Sequence, residues 1–480
     1  MNIGEFIEVN RQQMIEDISD LIAVPSVWDE ATAGEGQPFG EDVARCLEEI
    51  LAKAAAMGME VKNVEGYAGE ITISGRQTTA ADTPLMIGVL AHEDVVPAGE
   101  GWDTDPFTPV VRDGRLYGRG SSDDKGPLVA GLYAMKYLMD EGRIPATACL
   151  RMIVGTNEEE AWGGIGYYKE HVDRLPDYSI VPDGYFPLVF CEKGLLDFDL
   201  TIPSKGAAGG TAAVRELTGG SGRNVVAGGA RCTIDCGDTG LAARTAERLN
   251  RWEHVSAAAD GALVKVSAEG KSTHAMSPEK GRNAISLLFA ALGQLEDDGC
   301  RLSVGDAVEK YNRWIGDGYN GERFGCCFED QLSGKLTFNI GTVRYDEDKE
   351  QLVMEANIRY PASMEKAAVT EAIERTCSEG GFRWRERDWL PPVYTEPDSP
   401  FVVKLMEVYR QVTGDCENDA FAIGGATYAR AIPNAAAFGP LFPHEEELAH
   451  EPNEFLSVDS LEKMTEIFIR GLDALLHMDD

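Results

Sequence analysis

The sequence predicts an α/β protein, a mixed sheet flanked by helices, interrupted by an inserted α+β domain. Three observations carry this. Short apolar runs each end in a polar cluster. A helix-period segment separates the first two runs. The stretch from about residue 194 to 387 then changes character before the first pattern resumes. The chain opens on apolar positions Ile7, Met14, Ile18 and Leu21, which predict an amphipathic helix over 6–22. Residues 85–91 form an apolar run that leads into His92. Residues 150–154 lead into Glu158-Glu159-Glu160, and 178–181 lead into Asp183. A helix is expected over 127–139, opened by Pro127. Ligands of open α/β sheets gather at the carboxyl ends of strands, where these polar residues all fall.

The middle segment holds glycine-rich stretches such as Gly219-Gly220-Ser221-Gly222 and alternating runs such as 335–340, which read as half-buried strands. We therefore expect a catalytic domain of residues 1–193 and 388–480, and an inserted domain of 194–387. The insert spans about 190 residues, room for two small α+β subdomains. After it, 434–438 reads as a strand. Residues 460–476 read as the last helix, with Asp459 and Glu462 suiting a capping box.

Composition narrows the function classes. Forty-four basic against 81 acidic residues leave a formal charge of −37, which repels phosphate backbones and anionic lipid; neither nucleic acid nor a membrane is an expected partner. The first residues show neither a basic nor an apolar leader pattern, and no run is long enough to span a bilayer. Ten scattered cysteines without zinc-ribbon spacing read as reduced core thiols, so a cytoplasmic location is expected.

Five segments carry chemistry. In His92-Glu93-Asp94, a strand-end imidazole precedes an aspartate that can fix its ligating tautomer. In the 118–126 segment (Gly-Arg-Gly-Ser-Ser-Asp-Asp-Lys-Gly), glycines flank Asp123, which can bridge two cations. Glu158-Glu159-Glu160 follows a buried strand, and adjacent glutamates can divide ligation from general-base work. Asp183 ends another strand, and His450 lies far along the chain before the last helix. Each alone also fits an ordinary cap, turn or loop residue. Spacing does not choose among the three glutamates, or between His444 and His450. Together, two histidines and several carboxylates suit a divalent pair, Zn²⁺ first, with Mn²⁺ or Co²⁺ as alternatives. Competing motifs fail: Gly270-Lys271-Ser272 has Lys265 where a phosphate loop needs glycine, and there is no His-Glu-x-x-His helix.

The order of these segments resembles the M20 family of metallopeptidases, most nearly its PepV-type dipeptidases (Xaa-His dipeptidase or carnosinase-like). Further matches are Lys271-Ser272-Thr273-His274-Ala275, Asn357-Ile358-Arg359-Tyr360-Pro361 and Gly424-Gly425-Ala426-Thr427-Tyr428-Ala429-Arg430. The resemblance implies a two-metal peptidase catalytic domain with an inserted lid. His92 and Asp183 would hold one metal, Glu159 and His450 the other, and Asp123 would bridge them. Glu158 would be the general base and Asp94 the partner of His92. From the lid, His274 would stabilise the oxyanion, Arg359 would hold the substrate carboxylate, and Asn224 would face the site. The implied reaction is hydrolysis of the amide bond of a dipeptide or similar small peptide. An N-acyl-amino-acid deacylase on the same scaffold and a catalytically silent binding protein are the alternatives. Because His274 and Asn224 both lie in the large insert, one chain could complete its own site, and a monomer is expected.

Overall fold

The chain is described by a computed structural model, covering residues 1–76, 85–204, 211–297 and 300–478. It divides into two compact units. The first comprises Met1–Phe190, Thr395–Phe421 and Ala426–Asp480, the second Cys191–Tyr394 with Ala422–Gly425.

The first unit is built on a mixed sheet. Its strands run in the order Glu60–Val64, Ala68–Ser74, Ala148–Gly155, Leu85–His92, Tyr178–Val181, Ala435–Ala437 and Val189–Glu192. The four from Ala148–Gly155 to Ala435–Ala437 are parallel. Their register is level at the carboxyl end: His92 pairs with Gly155, and Ala437 with Val181. Ala148–Gly155 is buried at every position, as a central parallel strand covered on both faces must be.

Helices Ile3–Ile22, Lys125–Asp140 and Val458–Leu476 share one apolar core with the sheet. Ile18, Leu128, Leu132, Met464 and Phe468 are fully buried against Ile87, Val89 and Met152. Each such apolar side chain contributes about 1.5–3 kcal/mol of burial. The last helix starts earlier than its pattern suggested. Ser457 caps it by accepting from Ser460 N, so the Asp459 and Glu462 capping box is not the one used. A small three-stranded sheet, Val110–Arg112, Arg115–Tyr117 and Phe455–Ser457, ties the segment before Asp123 to the segment after His450.

In the second unit eight strands form one sheet in two four-stranded halves. The halves meet where Ala213–Gly219 pairs with Thr337–Asp346 through Thr218↔Arg344 and Gly219↔Val343. The run 335–340 does not alternate as expected; 336–340 are all buried. The reason is local. Asn339 turns inward because its Nδ2 donates to the carbonyls of Arg223 (3.1 Å) and Val225 (3.0 Å), holding the loop that contains Asn224. The cysteine expectation also needs correction. Eight are buried, but Cys327 and Cys416 are exposed; all ten are free thiols.

Candidate metal centre

The level strand ends of the first unit deliver the acidic cluster. His92 ends Leu85–His92 and is wholly buried. Its Nδ1 lies 3.0 Å from the Asp94 carbonyl and 3.5 Å from Asp94 Oδ1. Asp94 also reaches the next strand end, where its Oδ1 accepts Glu158 N and its Oδ2 accepts Glu159 N, both at 3.0 Å. One aspartate therefore orients His92 and places both glutamates. Asp183 follows Tyr178–Val181, and its Oδ2 accepts Tyr428 N at 3.2 Å.

Two triads result. His92, Asp123 and Glu159 present ligand atoms within 4.8 Å of one another, as do His92, Glu158 and Asp183. His450 closes the cluster: its Nε2 is 2.9 Å from Glu159 Oε2 and 3.1 Å from Asp123 Oδ2. Asp123 thus stands between the histidines, with His92 Nε2 3.2 Å from its Oδ1. That approach lacks hydrogen-bond geometry, which leaves His92 Nε2 buried without a hydrogen-bond partner among the described residues. Such an arrangement suits two ligands turned toward a shared cation. Glu160 is exposed and belongs to neither triad; His444 is exposed beside Phe442, its ring 6.2 Å away.

The charges are poorly compensated as they stand. Burial, then Asp183, pushes the Glu158 carboxyl well above its usual range. Burial and Asp123 push Glu159 up to about 7. The His450 side chain is 53% exposed; desolvation where its ring enters the cluster opposes its charge, but Asp123 and Glu159 outweigh that and push the imidazole up to about 11. Asp123, although buried, is held below the carboxylate range by His450 and His92. Crowded, desolvated carboxylates that would otherwise take up protons are a ready environment for divalent cations.

Other groups around the centre escape a reading of the sequence alone. The Asp124 side chain is buried, with Oδ2 accepting His92 N at 3.1 Å. The Tyr428 ring stands edge-on to His92 and Trp162, at 6.2 and 5.7 Å. A Cβ on Gly155 would come within 2.3 Å of its hydroxyl, so glycine is required there. Glu454, wholly buried, accepts from Gly120, Ser122 and Asp123 backbone N–H groups. Its only sequence signal is its closeness to His450, and it pairs with Arg119 of the 118–126 segment.

The second unit gathers the remaining three residues around the 422–425 segment. Asn224 O accepts Ala275 N at 2.8 Å, and Val225 bridges to His274, so Asn224 and His274 are neighbours. His274 Nδ1 accepts Met276 N at 3.3 Å, and Met276 packs where a Cβ on Gly424 would sit, 3.1 Å away. Arg359 Nη1 donates to Gly424 O at 3.0 Å, and its Nε to Asn357 Oδ1 at 3.0 Å. Arg359 is buried.

Residues 88–474 match the profile of "Peptidase family M20/M25/M40". The chain belongs to this family. It is a hydrolase of the metallopeptidase class with the mixed-sheet, inserted-domain fold that the motifs implied. "Putative dipeptidase YtjP" of Bacillus subtilis is 34% identical over 472 residues, covering 96% of this chain and 97% of its own. Among solved structures, human carnosine dipeptidase 1 superposes with a TM-score of 0.60 at 14% identity, covering 99% of this chain and 98% of its own. Aminoacylhistidine dipeptidase from Vibrio alginolyticus gives 0.56 at 15% identity, covering 96% and 95%. At these identities the two structures speak for the fold alone.

Proposed function

We propose that this member of the family is a dipeptidase that works with two divalent cations, zinc first among them, on small peptides with a free carboxylate. The observation that carries the reading is the pair of triads sharing His92, with Asp123 between His92 and His450. The donor set fits a cation pair: imidazole nitrogen and carboxylate oxygen, with His92 wholly buried and its Nε2 without a hydrogen-bond partner among the described residues. His92 and Asp183 would hold one cation, Glu159 and His450 the other, and Asp123 both. The names of the full-length relatives favour dipeptides over acylated amino acids.

When bound, the cations supply Lewis acidity that polarises the scissile carbonyl and acidifies water. The chain's own groups do the rest. Glu158 takes the proton of the attacking water at its carboxylate and returns it to the leaving amine nitrogen. Its burial among carboxylates raises its proton affinity in the direction that task needs. Asp94, through two backbone N–H groups, keeps that carboxylate in place. His274 donates to the oxyanion as it develops, Asn224 lies beside it, and Arg359 pairs with the substrate carboxylate.

Among the described residues no helix is long and apolar enough to cross a membrane. The free thiols fit a reducing cytoplasm. We further read the enzyme as a monomer whose second unit serves as its lid. Mixing His274→Ala with His450→Ala tests this, because restored activity would place the histidine across subunits. The function itself is tested by stripping the protein with chelator, restoring Zn²⁺, Mn²⁺ or Co²⁺, and assaying free dipeptides against N-acyl-amino acids. Metal-dependent cleavage of dipeptides supports the reading; preference for acyl-amino acids would overturn it in favour of a deacylase.

A further inference from the structure

Asp123 and His450 approach each other from segments more than 300 residues apart, and the contact that fixes them is an ion pair with no solvent access. Arg119 is 1% exposed and Glu454 0%. Arg119 Nη1 donates to Glu454 Oε2 at 2.7 Å. The other oxygen, Oε1, accepts Ser122 N at 2.9 Å, Ser122 Oγ at 3.1 Å and Asp123 N at 3.2 Å. Oε2 also accepts Gly120 N at 3.1 Å. The Glu454 carboxylate thus sits in a nest of backbone donors formed by the loop that carries Asp123. That nest needs its glycine: Gly120 has φ +85°, and a Cβ there would meet Val95 at 2.8 Å.

From the other side, Arg119 grips the His450 segment. Its Nη2 donates to the carbonyl of His450 at 3.2 Å and to that of Ala98 at 3.3 Å, and its Nη1 also reaches Glu451 O at 3.4 Å. His450 itself sits at φ +66°, a conformation that a histidine seldom holds without outside support. Gly118 N donates to Glu454 O at 3.1 Å, and the pairing of Phe455–Ser457 with Arg115–Tyr117 continues the seam.

A buried ion pair is a poor source of stability, because desolvation cancels most of its attraction. What this one does is geometric. We propose that Arg119 and Glu454 act as positioning residues that hold Asp123 and His450 at the separation two divalent cations require. This rests on the two-cation reading above. The pair touches neither cation nor substrate and acts through the backbone at 120–123 and 450. Asp123 must meet His92 and His450 with opposite oxygens, at 3.2 and 3.1 Å. A shift of half an ångström in either segment spoils one of the two contacts.

The test compares Glu454→Gln and Arg119→Lys with Asp17→Asn. Asp17 is a buried acid of the same unit, bonded to Lys53 Nζ and Tyr133 Oη at 3.0 and 2.7 Å, and none of these groups belongs to the centre. Each chelator-stripped protein is titrated calorimetrically with Zn²⁺ and Mn²⁺, and its thermal unfolding is followed with and without metal. The expected result is a 10- to 100-fold loss of divalent affinity in Glu454→Gln, the range typical of groups that orient ligands. Arg119→Lys should weaken the cation held by Glu159 and His450 more than its neighbour. At saturating metal both variants should keep the dipeptide KM. Asp17→Asn should lose thermal stability yet bind both cations as the wild type does. Arg119→Lys keeps a buried charge beside Glu454, so it serves where Glu454→Gln does not fold. Wild-type affinity and stoichiometry in a folded variant of either residue would overturn the proposal. A wild-type protein that binds no divalent cation would remove the two-cation reading instead.

Discussion

Asp94→Asn is the most informative single change at the centre, because it is isosteric and removes only charge and acceptor capacity. Asp94 accepts Glu158 N and Glu159 N with different oxygens, each at 3.0 Å. An asparagine can keep one of these bonds; its NH₂ then faces the other backbone N–H as donor against donor. A hydrogen bond to a charged acceptor is worth about 1.5–3 kcal/mol and a neutral one about 0.5–1.5. Losing one charged bond and weakening the other costs about 2–4 kcal/mol in holding the glutamates. Part of that is regained in the metal-free protein, where one fewer carboxylate crowds Glu158, which already feels Asp183, Glu159 and Asp94 as like charges. The penalty therefore falls mainly on the metal-bound state. We expect divalent affinity to drop about 10- to 100-fold and turnover by at least about 10²-fold, since a general base out of line is a poor one. Calorimetric titration of stripped protein measures the first, and a dipeptide assay at saturating metal the second. A folded variant with unchanged affinity and turnover would refute the assignment of the Asp94 carboxylate as the group that places Glu158 and Glu159.

Three further outcomes are expected. Glu158→Gln should bind both cations but lose about 10²–10⁴ in kcat, because an amide cannot take the proton; metal content and single-turnover rate together check this, and near wild-type turnover would take the role away from Glu158. Arg359→Ala should raise KM for free-acid dipeptides by at least about 10-fold while leaving C-terminally amidated analogues little changed; equal effects on both would mean that Arg359 merely braces Asn357 and Gly424. Metal affinity should rise with pH through neutrality. Burial and Asp123 raise Glu159 to about 7, so below that pH a proton occupies a ligand oxygen, and above it the anion is ready to bind. His450, held protonated by Asp123 and Glu159, must also release its proton to ligate. Titrations in buffers of different ionisation enthalpy should show net proton release on binding, and no buffer dependence would contradict it.

The strand-end residues were legible in the sequence because each follows an apolar run, and a parallel sheet sends the ends of its strands to one edge. Level register then brings His92 beside the 156–159 turn without further information. What could not be read were partnerships set by the tertiary path. Glu454 and Arg119 are 335 residues apart, and nothing local to either predicts that they meet without solvent access. Asn339 looked like the polar face of a strand, but it is buried because it holds the Asn224 loop by two carbonyls. The last helix took Ser457 rather than Asp459 as its cap because Phe455–Ser457 is committed to a strand pairing up to that residue. Cys327 and Cys416 escaped burial because composition reports a residue's average preference, not its loop.

A consequence follows for how stability and function divide in this fold. The apolar core of the first unit lies behind the sheet, between it and the helices Ile3–Ile22, Lys125–Asp140 and Val458–Leu476, while the centre occupies the strand ends. The two share little material, so the core can tolerate a centre that opposes folding. Part of the centre does oppose it: the Glu158 and Glu159 carboxyls are crowded by burial and by neighbouring carboxylates, while the pairing of Asp123 with His92 and His450 offsets some of that repulsion. A carboxyl whose folded pKa is raised, as for Glu158 and Glu159, weakens the folded state once the pH exceeds its unfolded value. Between about pH 4.5 and neutrality the metal-free protein therefore loses stability from these groups as the pH rises, and bound cations return it by mass action. Local strain and repulsion concentrated where the chemistry occurs, on a scaffold stabilised elsewhere, is what a centre selected for cation binding rather than for folding looks like.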